Sequence, residues 1–213
     1  MSGGWPIGRR LTLAAAGVAM ALGPIACSTD QSPASAAPAP TSTSERQDAV
    51  ELSGSGTLAT PGEASNAFTY NPDLAPVGAK VTVTVTPTDG ATTATFDALG
   101  LLPNRGYAVH LHTKPCGPTG DAAGPHFQHE IDPAATPDQP STDPQYANPR
   151  NEIWLDMRTD ATGSATSTAE VPFVFTDRMP ASAVVHEAMT TKTGPGEAGM
   201  AGDRLACFTL PKK

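Results

Sequence analysis

Large rings are scarce in this chain: aromatic residues make up 5% of its 213 positions, and charged residues only 16%. So few aromatics limit how much a core can gain from big side chains, and hydrophobic content is a modest 38%. No Lys/Arg cluster is present, and the formal charge is -8, so a nucleic-acid backbone is a poor partner. No internal repeat and no convincing 3.6-residue period are visible, which argues against a solenoid or a helical bundle. No apolar run is long enough to be comfortable as a spanning helix. What is abundant is glycine (20) and proline (22), the composition of a loop-rich chain. Antiparallel strands with long decorations fit that balance.

The N-terminus reads as an export signal. Arg9 and Arg10 precede an apolar run from Leu11 to Ala26, a charged n-region followed by a short h-region. Pro24-Ile25-Ala26-Cys27 resembles a bacterial lipobox, in which Cys27 is lipidated and becomes the mature N-terminus, although Pro24 stands where leucine is usual. The alternative is a plain secretory signal with Cys27 incidental. The paired arginines also suit the twin-arginine route, but two arginines in an n-region are common by chance. Residues 1–26 are therefore expected to be a signal peptide and 27–50, rich in Ser, Ala, Pro and Thr, a lipid-anchored tether without a core of its own. Export places the chain in the cell envelope as a lipoprotein attached to a membrane through Cys27, or alternatively as a soluble secreted or periplasmic protein. Loss of Arg9 and Arg10 takes the balance to -10, 11 basic against 21 acidic residues. Any chemistry on an anion then needs a local positive group.

From residue 51 to 213 the pattern is that of a β domain. Lys80–Thr86 alternates strictly, the mark of a half-buried strand, and Pro87-Thr88-Asp89-Gly90 reads as a turn into a partner strand over 91–99. Further strands are expected at 107–113, 152–158, 165–175, 181–187 and 204–210, and a long aperiodic segment at 114–150 is of the kind that carries function. The fold class is all-β: a Greek-key sandwich or flattened barrel of about eight antiparallel strands.

Histidine is rare, five in the chain, yet four fall in short punctuated motifs: His110-Leu111-His112, Gly124-Pro125-His126 and Val185-His186. Two histidines two apart on a strand project from the same side. Gly-Pro before His126 fixes the direction of its ring, and an imidazole in the apolar run at His186 needs a partner. Imidazole suits copper, zinc, iron and nickel, so a transition-metal site is the first expectation, with surface polar residues as the plain alternative. Cys116 and Cys207 are expected to be oxidised in an exported protein, which brings Arg204, three residues before Cys207, toward the strand carrying His110 and His112.

His110-Leu111-His112, Cys116, Gly124-Pro125-His126, Val185-His186 and Gly202-Asp203-Arg204-Leu205-Ala206-Cys207, in that order, resemble the copper/zinc superoxide dismutase family. The resemblance covers about 106–207, with 54–99 fitting by pattern only. It implies a Greek-key β-sandwich, copper held by His110, His112, His126 and His186, and superoxide drawn in by Arg204. It also implies proton traffic at His126 and an intrasubunit disulfide Cys116–Cys207. The family's second metal, zinc, takes further histidines from the long loop, and this chain has only His129 there. Two readings stand: a copper-only site in which a carboxylate such as Glu152 orients His126, which is preferred, or a reduced zinc site from His126, His129 and Asp132 or Glu152. The implied activity is an exported superoxide dismutase. A copper-binding lipoprotein that buffers or delivers the metal is the rival, and a domain that kept the fold and lost its metal is a third. Lys192, in the loop after His186, is either an anion guide or a solvated lysine; Glu187 is expected to face away from the site.

Overall fold

The computed structural model describes residues 51–136 and 138–211; the expected signal peptide and tether, with Cys27, lie outside them. The strands are β1 (Leu52–Thr57), β2 (Ala67–Thr69), β3 (Lys80–Thr88), β4 (Ala91–Leu99), β5 (Gly106–Tyr107), β6 (Val109–His112), β7 (Met157–Arg158), β8 (Ala165–Val171), β9 (Ser182–His186) and β10 (Arg204–Thr209). The helical content of the described residues is one 3-10 turn, Gly120–Ala123. No helix among them is long and apolar enough to cross a membrane.

Two four-stranded antiparallel sheets carry the domain, in the orders β1-β3-β4-β8 and β2-β10-β9-β6, with β5 and β7 paired separately. The all-β expectation holds, as two sheets rather than a closed barrel. In the first sheet alternation sorts the side chains: Val81, Val83 and Val85 stand opposite Ala98, Phe96 and Ala94, all buried, while the threonines between them face outward. β6 and β9 of the second sheet are buried on both faces. Val109, Leu111, Ala183 and Val185 join the main core. By alternation, His110, His112 and His186 occupy the opposite face, away from that core.

Local chemistry accounts for most boundary shifts. β3 runs on through Pro87 to Thr88, beyond the expected turn. β1 pairs only as far as Val85, so the missing N–H of Pro87 meets no ladder on that side. Asp89 and Gly90, at φ 47° and 86°, form the two-residue connection, the pattern of a type I′ hairpin. β8 ends at Val171 because Pro172 cannot donate to a ladder. Of the expected strand at 152–158 only Met157–Arg158 is strand. The rest is held by isolated bridges, Trp154 to His110 on β6 and Glu152 to Gln128 in the loop segment after His126. Those single bridges place Glu152 and Trp154 at the histidines.

Candidate metal centre

His110 and His112 stand on β6, His186 ends β9, and His126 is bridged to His112 across the strand edge. One ligand nitrogen from each of the four lies within 4.8 Å of the others. His110, His112 and His186 are almost wholly buried; His126 keeps 18% of its side chain exposed.

The outward nitrogen of every ring has an acceptor. His112 Nδ1 donates to the Gly124 carbonyl at 2.9 Å, His126 Nδ1 to Glu152 Oε2 at 2.9 Å, and His186 Nδ1 to the Gly202 carbonyl at 3.4 Å. Carbonyls and carboxylates only accept, so these three nitrogens carry the protons. Thr191 gives its one hydroxyl proton to Asp156 at 2.7 Å and therefore accepts from His110 Nε2 at 2.6 Å. Four inward lone pairs remain, on His110 Nδ1 and on Nε2 of His112, His126 and His186. Yet His110 Nδ1 and His126 Nε2 are 2.9 Å apart, and His112 and His186 Nε2 are 3.2 Å apart. Two neutral acceptors at such distances repel unless a cation lies between them. Such spacings suit an ion about 2.0–2.1 Å from each imidazole nitrogen. The residues present therefore fit a single transition-metal ion, with each ring's orientation set by a second partner.

Glycine is required where the backbone approaches these groups. Gly124, at φ 70°, turns its carbonyl to His112, and a Cβ there would lie 2.8 Å from Thr113 Oγ1. A Cβ on Gly120 would lie 2.9 Å from the Arg204 side chain, and the Gly120 carbonyl accepts from Arg204 Nη1 at 2.8 Å. A register shift between Arg204 and Ala206 sets Arg204 directly across from His186. Such bulges commonly re-aim a side chain beside a site. The Cys116–Cys207 disulfide joins the segment leading to Gly120 to β10, with Cα atoms 5.8 Å apart. Arg204 is half-buried; burial lowers its pKa from the ordinary arginine value, and Asp121 and Tyr70 oppose that shift. The guanidinium stays charged at neutral pH.

Glu152 is buried at 2% exposure and accepts from His126, from Gln128 Nε2 at 2.8 Å and from Trp154 Nε1 at 2.8 Å. Replacing it with glutamine keeps the shape and removes the charge behind His126. Glu152→Gln is expected to lower metal affinity roughly 10–100-fold, the range for an outer-shell partner, read by competition with a chelator.

The reduced zinc reading is not assembled. His129 stacks flat on Phe173 at 4.2 Å and 5°, and its backbone is held by Asn151 and Arg178. Asp132 accepts from Ser141 Oγ at 2.5 Å and from the Ala134 N–H at 2.8 Å, and these bonds hold its carboxyl below the usual range. Among the described residues neither joins a group of metal-competent side chains with His126. Lys192 is exposed and paired with Glu197 at 2.8 Å, and Glu187 is exposed. Sequence reasoning missed Thr191 and Asp156. Asp156 left a trace, an acid inside the apolar run Ile153-Trp154-Leu155-Asp156-Met157; Thr191 left none.

Burial, then repulsion from His126, holds the pKa of His110 and His112 well below 6.5, and the same causes bring His186 down to about 3. In the unfolded chain these rings titrate near 6.5. The metal-free fold therefore keeps its full stability above that pH. As pH falls toward the folded values the unfolded chain binds protons the fold refuses, at a cost of roughly 1.4 kcal/mol per pH unit per histidine. Urea melts of metal-free protein at pH 7.5 and 5, above most of the carboxylate range, should show this fall; a flat profile would contradict it.

No protein-family model matches the chain, and no curated protein matches it. Among solved structures, Cu/Zn superoxide dismutase from Brucella abortus is similar over 75% of this chain and 99% of its own, with 17% identity and a TM-score of 0.45.

Proposed function

We propose that this chain is a superoxide dismutase working with one copper ion held by His110, His112, His126 and His186. The observation that carries the reading is the set of four converging lone pairs with the Arg204 cation across the strand pair from His186. Imidazole is a good copper ligand, and storage of the metal would need no anion guide beside it. When bound, copper supplies a one-electron couple: oxidised, it takes an electron from one superoxide to give oxygen, and reduced, it gives an electron to a second, which with two protons becomes hydrogen peroxide.

The chain's own groups do the rest. Arg204 offers a permanent cation with planar donors on an acidic protein, which focuses the field at the opening and raises the arrival rate of a small anion. His126 is the ring with solvent access, so its Nε2 is the atom placed to hold a proton and release it toward the cavity. Glu152 steadies the resulting imidazolium from Nδ1. The protonated Nδ1, already bonded to Glu152, leaves no lone pair for a second metal, which supports a copper-only site. Export and attachment to a membrane through Cys27 complete the proposal, and they rest on the N-terminal sequence alone.

Copper-loaded protein should consume superoxide catalytically. Bound copper without turnover would instead favour the buffering lipoprotein. Arg204→Ala should slow consumption roughly tenfold or more and flatten its dependence on ionic strength. Stopped-flow rates across a salt series check this, and an unchanged rate and slope would contradict the steering role.

A further inference from the structure

The cavity over the histidines is far larger than a diatomic anion needs. It encloses about 540 Å³ and is lined by His126, His186 and Arg204 together with Ile131, Pro140, Ala198 and Met200. That volume lies within the range of small-molecule pockets, roughly 300–1,000 Å³. Five large apolar side chains are strongly exposed among the described residues, and two of them, Ile131 at 60% and Met200 at 49%, line this cavity. Water contact at that position is costly, and an apolar ligand body would relieve it. Arg204 makes one hydrogen bond among the described residues, to Gly120, which leaves further donors on its fork. The one carboxylate lining the cavity, Glu152, already accepts from three donors. The other guanidinium lining it, Arg178, is bonded to the carbonyls of Gln128 and His129.

We propose that this cavity binds a small organic carboxylate with an apolar body, its carboxylate on Arg204 and its body against Ile131, Pro140, Ala198 and Met200. Charge sets the head group: Arg204 is the half-buried cation of the lining, across from His186, whereas Arg178 is exposed and lies over the Phe127 ring. The apolar wall sets the body. The contacts involve no metal, so binding does not depend on the dismutase reading. With copper present the ligand occupies the approach to Arg204 and competes with superoxide.

Calorimetric titration of the exported chain with phenylacetate, acetate and benzyl alcohol tests this, in copper-loaded and metal-free forms. Phenylacetate should bind roughly tenfold or more tighter than either fragment, in both forms, since it alone uses both the apolar surface and the cation. Ile131→Asn and Met200→Gln, each neutral and at an exposed position, should bring phenylacetate down toward acetate while superoxide consumption without ligand stays unchanged. Phenylacetate binding no tighter than acetate, or binding indifferent to both substitutions, would overturn the proposal. Tight phenylacetate binding by a metal-free chain whose copper form shows no turnover would sustain it and remove the dismutase reading alone.

Discussion

His112→Ala is expected to abolish tight copper binding and, with it, superoxide turnover. The ring is fully buried at the centre of the cluster, with Nδ1 bonded to Gly124 and Nε2 3.2 Å from His186. Its removal deletes one of four donors and frees the Gly124 carbonyl whose conformation the turn was built to hold. Loss of a partner that merely orients a ligand costs roughly 10–100-fold in affinity, so loss of the ligand itself should cost more. Thr191→Val supplies the graded comparison, because it leaves all four rings and removes only the hydroxyl that accepts from His110 Nε2 and donates to Asp156, so it should fall inside that range. Chelator competition measures both. Equal, small effects would mean that His112 is a satisfied core histidine and the ion lies elsewhere.

The second large effect is on stability. Replacing Cys116 and Cys207 by alanine opens a cross-link between positions 91 residues apart. The chain-entropy account assigns such a loop roughly 4–5 kcal/mol as an upper figure, a large share of the about 5–15 kcal/mol that typical domains possess. Cys207 is buried beside Ala123 and Val184, and alanine keeps that contact apolar. The loss should therefore come mainly from the unfolded chain. The same change loosens the segment carrying Gly120, which receives Arg204, so the salt dependence of turnover should weaken with it. Urea unfolding with and without the bridge reads the first effect. A difference below about 1 kcal/mol would contradict the entropic role.

Much of the site was legible because its chemistry is concentrated in short motifs. A strand with period two forces His110 and His112 to one side, and Gly-Pro before His126 and the apolar run ending at His186 each leave an imidazole in need of a partner. The pairing of Cys116 with Cys207 was expected from the family resemblance and from an N-terminus that reads as an export signal. The partners behind the rings were harder. Thr191, Asp156 and the carbonyls of Gly124 and Gly202 come from loops with no period, and backbone carbonyls have no sequence signature at all. His129 shows the converse: three residues past His126 in sequence, it stacks on Phe173, and among the described residues its side chain joins no metal-competent group. In the fold, β3, β4 and β8 declared themselves by alternation. β1 and β2 did not, one being interrupted by glycines at 54 and 56 and the other only three residues long.

The count of metal per chain, joined to the nitrogen hyperfine pattern of the bound copper, tests the central claim most directly. Protein purified from its native source should carry one copper bound by four imidazole nitrogens and no zinc. Less than one copper per chain after loading, fewer nitrogens at the ion, or stoichiometric zinc beside it would contradict a single four-histidine copper site backed by Glu152.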